Sequence, residues 1–121
     1  MTGRVVVVIE DDPDIAALVA EMIGELGHQV SVHADLGDGL IRPDAELVIT
    51  DLVAVRSYDE QSAREWIAHV RTAFPNASVI VSTAHAPAAE AGPAALGADA
   101  VLTKPFDIGV FAETVESLLD R

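Results

Sequence analysis

Short apolar runs rich in β-branched residues, separated by stretches with helical periodicity, constrain the fold of this chain more than any other feature. Uninterrupted runs of this kind predict strands that are buried on both faces, as in a parallel sheet. One segment alternates apolar and polar residues instead, which predicts a less buried edge strand, Gln29–Ala34. The other predicted strands are Val5–Ile9, Leu47–Asp51, Ser78–Ser82 and Ala100–Thr103.

Helical periodicity follows the strands, so about five helices are expected. The first has Asp12 as its N-cap and Pro13 in its first turn. The second, within Asp35–Pro43, carries glycines and a proline and has room for only a turn or two. The fourth, Ala86–Leu96, contains a Gly-Pro pair and should be bent or shortened. The apolar faces of the first, third and fifth helices are predicted from Ile15, Leu18, Val19, Met22, Ile23 and Leu26, from Ala63, Trp66, Ile67, Val70 and Phe74, and from Val110, Phe111, Thr114, Val115, Leu118 and Leu119.

Alternating strands and helices predict an α/β domain, a doubly wound parallel sheet with helices on both faces. We interpret the chain as a single domain, 1–121. Ligands of such sheets bind outside the carboxyl ends of the strands. The polar residues that the predicted strands deliver to that edge are Glu10, Asp11, Asp12, Asp51, Thr83 and Lys104.

The residue types at this edge indicate a site for Mg²⁺ and a phosphoryl group. Crowded carboxylates repel one another unless a cation binds them, and ligands that offer only oxygen suit Mg²⁺. We predict that Asp11 and Asp12 are metal ligands and that Asp51 is both a ligand and a nucleophile, because carboxylates can attack phosphorus. Thr83 and Lys104 can contact phosphoryl oxygens. Lys104 is the only lysine of the chain.

Four separated motifs resemble the receiver domain of two-component response regulators, in the order in which that family carries them. They are Val-Ile-Glu-Asp-Asp at 8–12, Val-Ile-Thr-Asp-Leu at 48–52, Val-Ser-Thr-Ala-His at 81–85 and Leu-Thr-Lys-Pro-Phe at 102–106. The resemblance implies a flavodoxin-like five-stranded sheet of order 2-1-3-4-5 and a signalling switch. It further implies a phosphorelay in which a histidine kinase or phosphotransfer protein supplies the phosphoryl group.

The resemblance also assigns roles to individual residues. Asp51 would accept the phosphoryl group, and Thr83 and Lys104 would sense it. Mg²⁺ would be held by Asp11, Asp12, Asp51 and the backbone carbonyl of Val53. A cis peptide bond is expected before Pro105. Output would pass to a downstream protein target or to a homodimer partner.

Three features depart from the family's pattern. The loop from Leu52 to Glu60 lacks the usual proline and glycine, the segment Asp35–Arg42 is short, and Val101 stands where the family carries an aromatic residue. A valine cannot make the same large rotamer change, so we expect output to pass through the helix at Ala86–Leu96. Apolar Val53 offers an attacking water no hydrogen bond, so slow self-dephosphorylation is expected.

Composition excludes some partners. The net charge is −13, which argues against direct binding to nucleic acid, because basic patches supply most of that affinity. No stretch approaches the length of a membrane span, and the chain has no cysteine, so we expect a cytoplasmic protein without membrane contact. The chain stops after its last helix without a linker, which slightly favours a stand-alone regulator.

Other interpretations of the same residues stay open at this point. Asp11, Asp12 and Asp14 could simply cap a helix, a common use of acids at a helix start. A phosphatase with an aspartate nucleophile is disfavoured, because such enzymes usually carry a second acid where this chain has Val53. A receiver-like interaction module that is never phosphorylated is the remaining alternative.

Overall fold

A sheet of five parallel strands flanked by helices on both faces forms the protein. The computed structural model describes residues 4–36, 44–52, 59–105 and 107–120. The strand order is β2-β1-β3-β4-β5, as the resemblance implied. The elements are β1 (Val5–Ile9), α1 (Pro13–Glu25), β2 (Gln29–His33), β3 (Leu47–Thr50), α2 (Glu60–Ala73), β4 (Ser78–Thr83), α3 (Ala86–Leu96), β5 (Ala100–Thr103) and α4 (Ile108–Leu119).

Two apolar cores lie on opposite faces of the sheet, which confirms the doubly wound architecture. One core joins alternate strand residues such as Val7, Val48 and Val79 to α2 and α3. The other joins the remaining strand residues to α1 and α4. Side chains of a strand alternate between its faces, so a strand covered on both sides must be apolar throughout. The sequence of β1 meets that requirement, and β1 lies inside the sheet.

The caps of α1 follow the predicted pattern. Asp12 is the N-cap, with Pro13 directly after it, and its carboxylate accepts hydrogen bonds from the backbone N–H groups of Asp14 and Ile15. After the helix ends, Gly27 adopts φ +90°, a conformation that glycine reaches without the strain imposed by a Cβ atom. α2 and α4 begin in the same way, because the carboxylates of Asp59 and Asp107 accept backbone hydrogen bonds from their first turns.

Two residues assigned to inner helix faces are exposed instead. Leu18 on α1 is 51% exposed and Val110 on α4 is 49% exposed, so both assignments were wrong. Each lies at the border of its helix's apolar stripe, where helical spacing alone does not decide whether a side chain reaches the sheet. The predicted short helix within Asp35–Pro43 lies outside the described residues except for Asp35 and Leu36. Among the helices that are described, none is long and apolar enough to cross a bilayer.

α3 is bent at Gly92, as its sequence predicted. Gly92 has φ +83° and ψ 167°, a non-helical conformation within the element. The ring of Pro93 is incompatible with a continuous helical hydrogen-bond pattern, and the residue before a proline is pushed out of the helical region. Glycine provides the backbone freedom that the bend requires, because this region is essentially closed to other residues.

Replacing Gly92 with alanine is expected to lower the free energy of unfolding by about 1–3 kcal/mol, because the Cβ atom strains the backbone at positive φ. No neighbouring atom would clash with the new methyl group, so backbone strain is the only cost. Urea titration followed by circular dichroism measures the effect. Gly24→Ala is the matched control, since Gly24 lies in α1 with equally open space and should gain about 0.5–1 kcal/mol. An unchanged stability of Gly92→Ala would contradict the strained bend.

Candidate functional site

The carboxyl ends of the central strands bring most of the predicted site residues together. The sheet ladder continues for one residue past the strand ends, because Asp51 N–H donates to the Ile9 carbonyl and Lys104 N–H donates to the Thr83 carbonyl, at 2.9 and 2.8 Å. These backbone bonds fix where the Asp51 and Lys104 side chains leave the sheet. Their positions follow from strand register rather than from a flexible loop.

Three carboxylates meet at this edge. One oxygen of each of Glu10, Asp11 and Asp51 lies within 4.8 Å of the others. Glu10 is buried, Asp51 is half-buried and Asp11 is exposed, so the cluster opens to solvent on one side. A cation that enters from that side would meet oxygen ligands only.

The lone lysine of the chain neutralises part of this cluster. Lys104 Nζ lies 2.5 Å from Glu10 Oε1 and 3.4 Å from Asp51 Oδ2. Burial raises the pKa of the Glu10 carboxyl above its ordinary value, and the hydrogen bonds from Lys104 and from the Asp12 backbone act in the opposite direction. The nearby charge of Asp51 also raises that pKa. The Lys104 ammonium therefore opposes the penalty of keeping Glu10 charged at this depth.

Asp51 is held from both the backbone and the helix side of the sheet. Its Oδ1 accepts a hydrogen bond from Leu52 N–H at 2.8 Å. The Thr50 hydroxyl donates to the Asp51 carbonyl at 2.7 Å and accepts from Trp66 Nε1 at 2.9 Å. Thr50 and Trp66 are both buried, so a rigid hydrogen-bonded chain connects α2 to the phosphoacceptor candidate.

Thr83 ends β4 on the neighbouring strand and is fully buried. Its Oγ1 accepts a hydrogen bond from His85 N–H at 3.0 Å, which turns the chain into α3. Lys104 N–H is bonded to the Thr83 carbonyl, so the hydroxyl and the ammonium start from adjacent strands. A group that donates a hydrogen bond to the Thr83 hydroxyl would compete with His85 N–H, whereas a group that accepts one from it would add a second bond.

The metal ligands predicted from the sequence only partly coincide with the carboxylates that meet. Asp12 Oδ1 caps α1 and accepts from Asp14 N–H and Ile15 N–H at 2.9 and 3.3 Å, and the cluster contains Glu10 in its place. The sequence interpretation gave Glu10 only a supporting role and missed its contact with Lys104. The sequence did contain a signal for the role of Glu10, because this residue directly follows β1, whose alternate residues face the apolar core beneath α1 and α4. Val53 lies outside the described residues.

The donors at this edge fit a Mg²⁺ ion. Mg²⁺ is bound by few carboxylates and keeps several waters, which suits a cluster with one buried, one half-buried and one exposed acid. Glu10, Asp11 and Asp51 are the residues that could hold it. Glu10 would then have to exchange its Lys104 contact for the metal or share it.

Two further expectations concern the end of β5. The Lys104–Pro105 peptide bond is cis, as the resemblance implied. Val101 is partly buried and packs against the core beneath α2 and α3. A small, partly buried side chain that packs against this core therefore occupies the position where the family carries an aromatic residue.

Solved structures with similar folds cover nearly the whole chain. A response regulator receiver protein from Burkholderia phymatum has 24% identity and a TM-score of 0.74, with 97% of this chain and 95% of that chain covered. A response regulator from Thermotoga maritima has 20% identity and a TM-score of 0.74, covering 98% and 99%. A receiver domain protein, described as CheY-like, from Methanospirillum hungatei JF-1 has 19% identity and a TM-score of 0.73, covering 98% and 95%. No protein-family model and no curated protein matches the sequence.

Proposed function

Because this chain has the receiver-domain fold of response regulators, we propose that it is a signalling switch of a two-component or phosphorelay system, activated by phosphorylation of Asp51. The donor is the phosphohistidine of a histidine kinase or phosphotransfer protein. An Asp51 carboxylate oxygen attacks phosphorus, the P–N bond to the histidine breaks, and the imidazole leaves with the electron pair. The product is an acyl phosphate on Asp51.

The arrangement of charges around Asp51 carries this proposal. Its carboxylate lies 3.4 Å from Lys104 Nζ and within 4.8 Å of two more acids. An aspartate that only ended a strand would need neither the nearby ammonium nor the two other acids. Phosphoryl transfer depends mainly on positioning and on neutralising charge, and these groups supply both.

Each residue of the site has a task in the transfer. Mg²⁺, when bound, neutralises phosphoryl oxygens, and Glu10, Asp11 and Asp51 would hold it. The Lys104 ammonium binds another phosphoryl oxygen. The Thr83 hydroxyl donates to a third. Asp12 and the Val53 carbonyl, which the sequence suggested as ligands, remain predictions.

The chain is one domain that acts in the cytoplasm, loses its phosphoryl group slowly because of Val53, and turns over no other substrate. Its activated form binds a downstream protein or a second copy of itself. The bend at Gly92 supports α3 as the element that relays the change, because a bent helix can rearrange at its hinge.

Two other functions predict different behaviour. A receiver-like interaction module would take no phosphoryl group, yet the charged partners of Asp51 favour the switch. A phosphatase would turn over an outside phosphate ester through Asp51. The sequence argues against it, because Val53 stands where a second catalytic acid is usual.

Intact mass spectrometry after incubation with Mg²⁺ and acetyl phosphate tests the proposal. We expect a single phosphoryl adduct on the wild type and none on Asp51→Asn. Asp120→Asn, an exposed acid beyond α4, is the matched control and should retain the adduct. An unmodified wild type would favour the interaction module, and catalytic release of phosphate from an ester such as p-nitrophenyl phosphate would favour the phosphatase.

A further inference from the structure

Ser82 carries a buried hydroxyl near the carboxyl end of β4. The residue is 3% exposed, and its Oγ has no hydrogen-bond partner among the described residues. Ser82 lies in β4, directly after three fully buried apolar residues, Val79–Val81. A buried hydroxyl without a partner is costly, so native proteins usually provide one in at least one functional state.

Strand register puts Ser82 in one row with two acids of the site. Thr50 pairs with Ile9 on one side and with Val81 on the other. The residues that follow, Glu10, Asp51 and Ser82, therefore lie side by side across three adjacent strands. They also share a face of the sheet, because the residues two positions earlier, Val8, Ile49 and Ile80, all pack against the core beneath α1 and α4.

Lys104 reaches across this row. It leaves β5 on the same face, two residues after Leu102, and its ammonium meets Glu10, which follows β1. With neighbouring strands roughly 4.8 Å apart, β5 and β1 are separated by about 14 Å, so the two long side chains meet above the strands between them. Those strands, β3 and β4, carry Asp51 and Ser82 at this level.

Among the described residues, the ammonium group of Lys104 has more hydrogen-bond donors than acceptors in contact with it. Lys104 has three N–H donors. Its contacts are Glu10 Oε1 at 2.5 Å and Asp51 Oδ2 at the longer distance of 3.4 Å. A cation at the site would draw these same oxygens away from the lysine. The lysine then needs a replacement acceptor, and Ser82 Oγ is a buried acceptor in the same row.

We propose that Ser82 is a positioning residue whose hydroxyl accepts a hydrogen bond from Lys104 Nζ when Glu10 turns to the metal. In the resting state the ammonium is paired with Glu10. In the Mg²⁺-loaded state Ser82 Oγ holds the ammonium above Asp51, where a phosphoryl oxygen would lie. The exchange lowers the cost of releasing Glu10 and keeps the lysine in place. The Lys104 task at the phosphoryl group rests on the proposed function, whereas the exchange on Mg²⁺ binding does not.

The single lysine makes the exchange directly observable. Protein grown with [ε-¹³C]lysine has one side-chain resonance, that of Lys104. We expect this resonance to shift when MgCl₂ is added to the wild type, and to shift to a different position in Ser82→Ala. The Mg²⁺ dissociation constant from the same titration should rise roughly tenfold in Ser82→Ala, the factor typical of one hydrogen bond to a charged group. Thermal unfolding without Mg²⁺ should be unchanged or occur at a higher temperature, because the variant lacks a buried hydroxyl without a partner.

Two further variants complete the experiment. Ser78→Ala is the matched control, since it makes the same change at the opposite end of β4, and it should bind Mg²⁺ like the wild type. Ser82→Cys preserves most of the side-chain volume but offers only a weak acceptor, so it should behave like Ser82→Ala. A purely structural role for Ser82 would change the unfolding temperature without moving the Lys104 resonance.

The outcomes separate this inference from the proposed function. Mg²⁺ affinity within twofold of the wild type in Ser82→Ala, or an identical Lys104 shift, overturns the inference even if Asp51 is phosphorylated. A crystal structure of the Mg²⁺-loaded protein with a water on Ser82 Oγ and Lys104 still on Glu10 also overturns it. If acetyl phosphate leaves the wild type unmodified while Ser82→Ala weakens Mg²⁺ binding, the proposed function fails and the positioning role stands.

Discussion

Replacing Lys104 with methionine is expected to lower the free energy of unfolding by about 3 kcal/mol at neutral pH without divalent cations, in the range typical of a broken buried ion pair. The Lys104 and Glu10 side chains are 13% and 4% exposed, so neither charge is well solvated. Methionine preserves the apolar stem and removes the charge. Glu10 would then be buried near Asp51 and Asp11 without the ammonium that opposes their repulsion.

The loss of unfolding free energy in Lys104→Met should increase as the pH rises from 4 to neutrality. Burial already raises the pKa of Glu10 in the wild type, and loss of the Lys104 hydrogen bond removes the largest effect that lowers it. The folded variant therefore binds a proton in a pH range in which the unfolded chain, with a glutamate pKa of about 4.3, has lost it. Its free energy of unfolding falls as pH rises through that range. The difference from the wild type should be small near pH 4 and largest at neutral pH.

Urea titrations of the wild type and Lys104→Met between pH 4 and pH 8 measure this dependence. Arg64→Met is the matched control, because it removes one positive charge from an exposed position on α2 and makes the same change in net charge. It should shift the free energy of unfolding by less than about 0.5 kcal/mol at each pH. A pH-independent deficit in Lys104→Met would mean that packing of the stem, rather than the ion pair, is what the lysine contributes.

The strand pattern predicted the sheet well because buried parallel strands tolerate few polar residues. β1 and β5 were predicted with their observed bounds, and the other three strands differ by one residue at the end. The bend of α3 was also predictable, since Gly92 and Pro93 act through local backbone geometry. The exposure of Leu18 and Val110 was not predictable. Whether a residue at the border of an amphipathic helix's apolar face is buried depends on how the helix is rotated against the sheet.

The sequence alone does not determine which of the three consecutive acids, Glu10, Asp11 and Asp12, meet Asp51. Asp12 was predicted both to cap α1 and to bind the metal. The cap is present, through Oδ1, and the role as a metal ligand remains a prediction. Glu10 takes part in the cluster because it continues the face of Val8, whose side chain is buried beneath α1 and α4. The pairing of Thr50 with Ile9 and the hydrogen bond from Asp51 N–H to the Ile9 carbonyl fix which acid lies beside Asp51, and this register is a property of the assembled sheet.

Replacing Thr50 with valine is expected to cost about 2–3 kcal/mol of unfolding free energy, although the two side chains have nearly the same shape. The Thr50 hydroxyl accepts from Trp66 Nε1 at 2.9 Å and donates to the Asp51 carbonyl at 2.7 Å. Valine leaves the indole N–H unpaired at a side chain that is only 7% exposed. It also removes the hydrogen bond that the Thr50 hydroxyl donates to the backbone carbonyl of Asp51, the residue whose carboxylate is the proposed phosphoacceptor.

A double-mutant cycle with Trp66→Phe separates the hydrogen bond from packing. Trp66→Phe alone loses the bond and some buried area, but in the Thr50→Val background no unpaired indole N–H remains to be penalised. The double variant should therefore be more stable than the sum of the single changes predicts, by about 1 kcal/mol or more. Thr103→Val, an exposed threonine on β5, is the control for the substitution itself and should change stability by less than about 0.5 kcal/mol. Strict additivity would show that α2 and the Asp51 strand are not coupled through this hydroxyl, and that Asp51 is positioned by the sheet alone.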